Sequence, residues 1–209
     1  MTQTIKTKKG YYHFEPVNLY HGRKKLDKNV ARENLLITRK ILNKSKIGWG
    51  LIFGTLLGAI REEDFIDHDE DVDLFILDED RERLIELIFE FEEYGFSIAR
   101  CSKTLISIIR NDEYIDFYFF KRSILGRRSG EYFLPKIFFS KFSNITFLGA
   151  KFPTVYKPED CLSLFYGEDW RVPKLNINAA KNPLVWKKNL KKIFPFLFNY
   201  YQNWKNENH

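Results

Sequence analysis

Two cysteines in 209 residues, Cys101 and Cys161, are too few for a disulfide framework or a four-cysteine zinc site. Each reads as a small apolar side chain rather than a nucleophile. No apolar run reaches the ~18 residues that suggest a membrane span. Met1 to Phe14 is polar and basic without an apolar centre, so no signal peptide is expected there, and a cytoplasmic protein is. Histidine is equally sparse: His13, His21, His68 and His209 share no helical spacing that would pair two of them on a metal. Repeats and low-complexity tracts are absent. Aromatic residues are plentiful, with 20 Phe, 11 Tyr and 4 Trp, which excludes a disordered chain. A 44% hydrophobic content supplies the core of one domain, or of one domain with an appended piece.

The net charge of +6 is unevenly spread. Residues 1–48 hold 12 basic and 3 acidic side chains, residues 61–120 hold 6 and 19, and residues 121–173 hold 9 and 5. Residues 174–209 hold 7 and 1. An acidic centre between basic flanks is unlike the continuous basic stripe of a general nucleic-acid binder. It fits a carboxylate site that needs cations, framed by groups able to hold phosphate.

Along the chain, residues 1–26 read as a loosely structured arm, 27–173 as the main domain and 174–209 as a basic, aromatic extension. Asp27 is a plausible N-cap for a helix carrying Leu35, Ile41 and Leu42. A short buried strand, Trp49 to Phe53, precedes one or two helical turns over Thr55–Ile60. Asp71–Leu77 alternates and then turns fully apolar, as a central strand does. A helix from about Arg81 to Tyr94 should end at Gly95. Three strands follow, Phe96–Arg100, Leu105–Arg110 and Tyr114–Phe120, with a turn at Asn111-Asp112. The signal weakens after Lys121. A hairpin over Gly149-Ala150 and a short helix from Pro158 to Tyr166, closed by Gly167, complete the domain. A helical tail from about Leu184, interrupted at Pro195, ends the chain. The order gives an α+β domain with a mixed sheet.

The most informative stretch is Phe65-Ile66-Asp67-His68-Asp69-Glu70-Asp71-Val72-Asp73-Leu74. On a strand, Asp71 and Asp73 point to the same face. Adjacent carboxylates repel unless protons or cations intervene, and hard oxygen ligands suit Mg²⁺. Asp116 lies inside the apolar run Tyr114-Ile115-Asp116-Phe117-Tyr118, where an ionised carboxyl needs a partner. A metal shared with Asp71 and Asp73 is one. Upstream, Gly54-Thr55 between a strand and a helix could bring backbone N–H groups and a hydroxyl to a phosphate, and Arg61 could add a bidentate contact. Glu62, Glu63, Asp64 and Asp67 read as a solvated loop. A calcium loop beginning at Asp69 would put Leu74 and Asp80 where Gly and Glu are expected, so that reading is set aside.

These motifs resemble the LicD family, which includes fukutin-like transferases. The resemblance rests on Gly54-Thr55-Leu56-Leu57-Gly58-Ala59-Ile60-Arg61, Asp69-Glu70-Asp71-Val72-Asp73 and Ile115-Asp116-Phe117. A late element, Phe147 to Pro153 followed by Pro158 to Leu162 and Tyr166 to Trp170, adds to it. His68-Asp69-Glu70 stands where the family commonly shows Trp-Asp-Asp, and leaves the alternating Asp residues in place. The resemblance implies a nucleotidyltransferase-type fold, a small mixed sheet flanked by helices. It implies transfer of a phospho-substituent, such as phosphocholine or a polyol phosphate, from a CDP-linked donor to a glycan hydroxyl. It would place Mg²⁺ or Mn²⁺ on Asp71, Asp73 and Asp116, with Asp69 nearby, and donor phosphate on Gly54, Thr55 and Arg61. Either Asp116 or Asp69 would take the acceptor's proton. Two alternatives stay open: transfer of the nucleotide itself, or a non-catalytic nucleotide-binding module. For the tail, packing on the domain is preferred over contact with anionic membrane.

Overall fold

The computed structural model describes residues 2–19 and 24–173. The expected helical tail from Leu184 lies outside them, as does His21. The chain opens with a hairpin, β1 (Gln3–Thr7) and β2 (Gly10–Phe14). This corrects the expectation of a loose arm. Ile5, Tyr12 and Phe14 are buried, Tyr12 meets Phe89 edge-on at 5.7 Å, and the Lys8 amide donates to Glu86 Oε1 at 2.8 Å. The alternation of Ile5 with Thr7 and of Tyr12 with Phe14 marks the buried face.

Helix α1 (Lys28–Lys44) starts where Asp27 accepts the amides of Asn29 and Val30, and it buries Leu35, Ile41 and Leu42. Strand β3 (Trp49–Leu51) leads into α2 (Phe53–Arg61), and β4 (Val72–Leu77) follows the acidic loop. The expected helix over 81–94 is two pieces, α3 (Arg81–Glu86) and α4 (Ile88–Glu93), after a 3-10 turn at Asp78–Asp80. The Leu87 amide donates to Leu84 O, a tightened turn that breaks the helical register yet leaves Leu84, Ile88 and Phe91 buried. Next come β5 (Ser97–Cys101), β6 (Leu105–Arg110) and β7 (Glu113–Ser123). The turn at Asn111-Asp112 has φ of 51° and 63°, the pair of positive values that a two-residue hairpin favours.

Two short strands that the sequence hides, β8 (Gly126–Ser129) and β9 (Tyr132–Pro135), extend from β7. The hairpin β10 (Phe142–Phe147) and β11 (Ala150–Val155) turns at Leu148-Gly149, one residue before the expected position. Helix α5 (Pro158–Tyr166) ends at Gly167, whose φ is 98°.

The main sheet runs β10-β11-β3-β4-β7-β6-β5, with β8 and β9 continuing from β7. Most neighbours are antiparallel, but β11–β3 and β4–β7 are parallel, so the sheet is mixed. β4 and β7 are its centre. Their apolar residues, including Leu74, Phe75, Ile76, Phe117 and Phe119, are almost wholly buried on both faces. Such burial leaves no room for charge by accident, and Asp73 and Asp116 stand in these same strands.

Candidate active site

The parallel pairing of β4 with β7 places Asp73 directly opposite Asp116. Residues opposite each other in a ladder project to the same face, and Asp71, two residues before Asp73, joins them. One carboxylate oxygen from each of Asp71, Asp73 and Asp116 falls within 4.8 Å of the others. Asp116 is fully buried and Asp73 nearly so.

The start of α2 is clasped onto Asp73. The Gly54 amide donates to Asp73 Oδ2 at 3.2 Å, and the Asp73 amide donates to Thr55 Oγ1 at 2.8 Å. Phe53 makes the sharp entry to the helix with a φ of 48°. Its ring sits 4.4 Å from Tyr132, 5.0 Å from Phe165 and 5.1 Å from Tyr118, which anchors this strained residue in an aromatic cluster. At Gly54 a Cβ would lie 2.8 Å from Asp69 Oδ2, so only glycine lets the helix approach that carboxylate so closely. Asp69 Oδ2 is itself buried without a hydrogen-bond partner.

Asp116 is held from the other side. Ser107, its partner across the β6–β7 ladder, donates to Oδ1 at 2.5 Å. Arg100, opposite Ser107 on β5, donates through Nη2 to Asp116 Oδ2 at 2.6 Å and through Nε to Ser107 Oγ at 2.7 Å. The Tyr118 hydroxyl lies 3.4 Å from the same Oδ2.

The electrostatics follow from this crowding. Burial, and then the charges of Asp116 and Asp69, hold the Asp71 carboxyl well above the usual range. Burial, and then Asp71, Asp69 and Asp116, do the same to Asp73. Burial pushes Asp69 up to about 7. Asp116 is raised by burial and pulled back by Arg100 and Ser107. Burial also raises the Tyr118 phenol, which stays a donor. Clustered oxygen ligands that resist ionisation, beside a buried carboxylate oxygen with no partner, fit a hard divalent cation. Asp71, Asp73 and Asp116 are the residues able to hold it.

Of the residues expected from the sequence, Asp69, Asp71, Asp73, Asp116 and Gly54 converge. Thr55 sits behind them, fully buried, with its hydroxyl already accepting the Asp73 amide. Arg61 is elsewhere. It lies roughly 10 Å along α2 from Gly54, at 1.5 Å per residue. Its guanidinium bonds Glu62 Oε1 at 2.7 Å and the Trp170 carbonyl at 3.1 Å, tying α2 to the segment after α5. The expected phosphate contact would have to be made from there. His68 is exposed, and Asp64 and Asp67 both pair with Lys28 at 2.9 Å. Arg100, Ser107 and Tyr118 are the site residues that sequence reasoning missed.

Residues 46–154 match the family described as LicD/FKTN/FKRP, nucleotidyltransferase domain. An uncharacterized protein of Rickettsia prowazekii is 34% identical over 77 residues, which are 34% of this chain and 29% of that protein. Another from Rickettsia typhi is 29% identical over 85 residues, 41% of this chain and 26% of that protein. The match therefore spans less than a third of either relative's length. Among solved structures, the solution structure of the antibiotic-resistance factor ANT(2'')-Ia superposes with a TM-score of 0.53 at 13% identity, covering 87% of this chain and 98% of that one. At that identity the likeness is one of fold, and the fold is the mixed sheet with flanking helices described above. Because the family match takes in just over half of the chain and contains the Gly54 turn and all four clustered aspartates, the chain belongs to the LicD/FKTN/FKRP nucleotidyltransferase-domain family.

Proposed function

We propose that this chain is a metal-dependent transferase that moves a phospho-substituent from a CDP-linked donor to a glycan hydroxyl during cell-surface polysaccharide or lipopolysaccharide synthesis. The observation that carries the reading is the trio Asp71, Asp73 and Asp116, brought within 4.8 Å by strands paired in register. These residues would hold Mg²⁺ or Mn²⁺. When bound, such a cation neutralises charge on donor phosphate oxygens.

The chain's own groups supply the rest. Asp69 is better placed than Asp116 to take the acceptor's proton. Both Asp116 oxygens are engaged by Ser107 and Arg100, whereas Asp69 Oδ2 has no partner. Arg100 takes the role first expected of Arg61, because its guanidinium reaches the cluster and its side chain keeps 23% exposure. It would face the transferred phosphoryl oxygens. Thr55 and Gly54 position Asp73 and leave space for Asp69. Among the described residues no helix is long and apolar enough to cross a membrane.

The test is product analysis with CDP-linked donors, a divalent cation and a sugar acceptor. The reading expects CMP release that vanishes with chelator and in Asp73→Asn. Pyrophosphate release with a nucleotidylated acceptor would replace it with transfer of the nucleotide itself.

A further inference from the structure

We infer that the tip of the β7–β8 hairpin and the basic groove at its base form a docking surface for an anionic lipid bilayer. The inference is independent of the chemistry assigned to the carboxylates.

Ser123 pairs with Gly126, so Ile124 and Leu125 are the whole turn. Ile124 is 96% exposed and Leu125 57%. Two-residue hairpin turns normally use Gly, Asn or Asp, and a branched apolar pair serves no turn geometry. Neither residue takes a positive φ. The tip is also braced, since the Lys136 amide donates to Leu125 O at 3.0 Å. A fixed backbone thus presents two apolar side chains to the surroundings.

Cations lie along the arms of the same hairpin. A groove of about 720 Å³ at the base of the hairpin is lined by Arg81, Lys103, Lys121, Arg122 and Arg128, with Asp78 as its acid. Arg81 is bonded to Asp78 and Arg122 to Glu79, so part of the charge is internally matched. Lys103 and Lys121 are exposed. Residues 121–141 hold six basic side chains and Glu131 as the acid.

Exposed apolar side chains at a hairpin tip, with lysine and arginine along the arms of the same hairpin, match the order of a bilayer surface: phosphate outside, hydrocarbon beneath. A nucleic acid would engage the cations but leave Ile124 and Leu125 without a partner. A second copy of the chain would have to bring an acidic face to the groove.

The test is cosedimentation of the full chain with vesicles of equal parts phosphatidylglycerol and phosphatidylcholine, against phosphatidylcholine alone, at low and high salt. Binding to the anionic vesicles, released by salt, is expected. Lys103→Gln with Lys121→Gln should weaken it about twenty-five-fold, at about fivefold for each lysine. Ile124→Ser with Leu125→Ser should weaken it about tenfold through lost apolar insertion. Both double variants should keep the parent melting temperature, because the altered side chains are at the surface. Four results would overturn the inference. One is indifference to phosphatidylglycerol. Another is undiminished binding by both variants, which would move any lipid contact away from this hairpin. The third is displacement from vesicles by soluble glycerol phosphate, which would make the groove a small-anion site. The last is a change of oligomeric state in the tip variant, which would make the surface a self-association face.

Discussion

Replacing Asp71 by Asn removes a charge and almost nothing else, so it isolates what the carboxylate cluster costs the cation-free fold. Two unit charges no more than 4.8 Å apart repel by at least roughly 3.5 kcal/mol at an effective dielectric of about 20. Proton uptake relieves part of this, as the raised Asp69, Asp71 and Asp73 carboxyls indicate. The variant should therefore gain about 1–2 kcal/mol when no cation is present, or roughly 2–8 °C in melting temperature for a chain of this size. The sign depends on pH. A carboxyl raised on folding binds more protons in the native than in the unfolded state, so stability falls as pH rises through the interval between the two values. For Asp69 that interval runs from 3.8 to about 7. Asp71 is raised in the same direction, so the gain in Asp71→Asn should be smaller at about pH 5 than at about pH 8. Thermal melts in chelator at both pH values test this, followed by addition of Mn²⁺ or Mg²⁺. At a hundred times its Kd, a cation adds about 2.7 kcal/mol to the parent, and the variant should lose most of that increment. A variant less stable than its parent at the higher pH, with the cation-dependent gain intact, would refute the reasoning.

Three further substitutions separate position from chemistry. Thr55→Val keeps the shape but leaves the Asp73 amide without its acceptor, and denaturant melts should show a loss of about 1–3 kcal/mol that Thr55→Ser restores. Arg100→Gln removes the guanidinium from buried Asp116 and should cost roughly 3 kcal/mol in chelator; melts with added Mn²⁺ should recover much of it, and no recovery would make Arg100 a purely structural residue. Arg61→Ala should lower the melting temperature by a few degrees, about 1 kcal/mol for its lost hydrogen bonds, while calorimetric donor affinity stays unchanged.

The carboxylates were legible because strand alternation is a local rule. Asp71 and Asp73 announce a shared face, and Asp116 is conspicuous inside an apolar run. The Asn111-Asp112 turn carried more than was drawn from it. Counting back three from Arg110 and forward three from Glu113 lands on Ser107 and Asp116, the pair that hydrogen-bonds. Arg100 was out of reach by such counting, since the β5–β6 register shifts between Ile98 and Arg100. The distance of Arg61 from the cluster was not legible, because its motif neighbours are close in sequence while a helix carries each successive residue away from the turn. The N-terminal hairpin was hidden by lysines at its bend, Lys8 and Lys9, where no Gly or Asn pair advertises a turn. β8 and β9 are too short for periodicity to register.

The register of β4 against β7 has one more consequence. The separation of Asp73 from Asp116 is set by the spacing between hydrogen-bonded strands, which neither a loop nor a hinge can adjust. No partly opened form can dim the cluster gradually, because a single-residue slip would turn Asp116 and every neighbour on β7 to the opposite face. The Asp73–Asp116 pair is therefore as cooperative as the sheet itself. That pair is kept or lost with the core, and the heat that melts Phe117 and Ile76 out of their packing is the heat that separates it, whereas Asp71 and Asp69 approach it from the loop before β4.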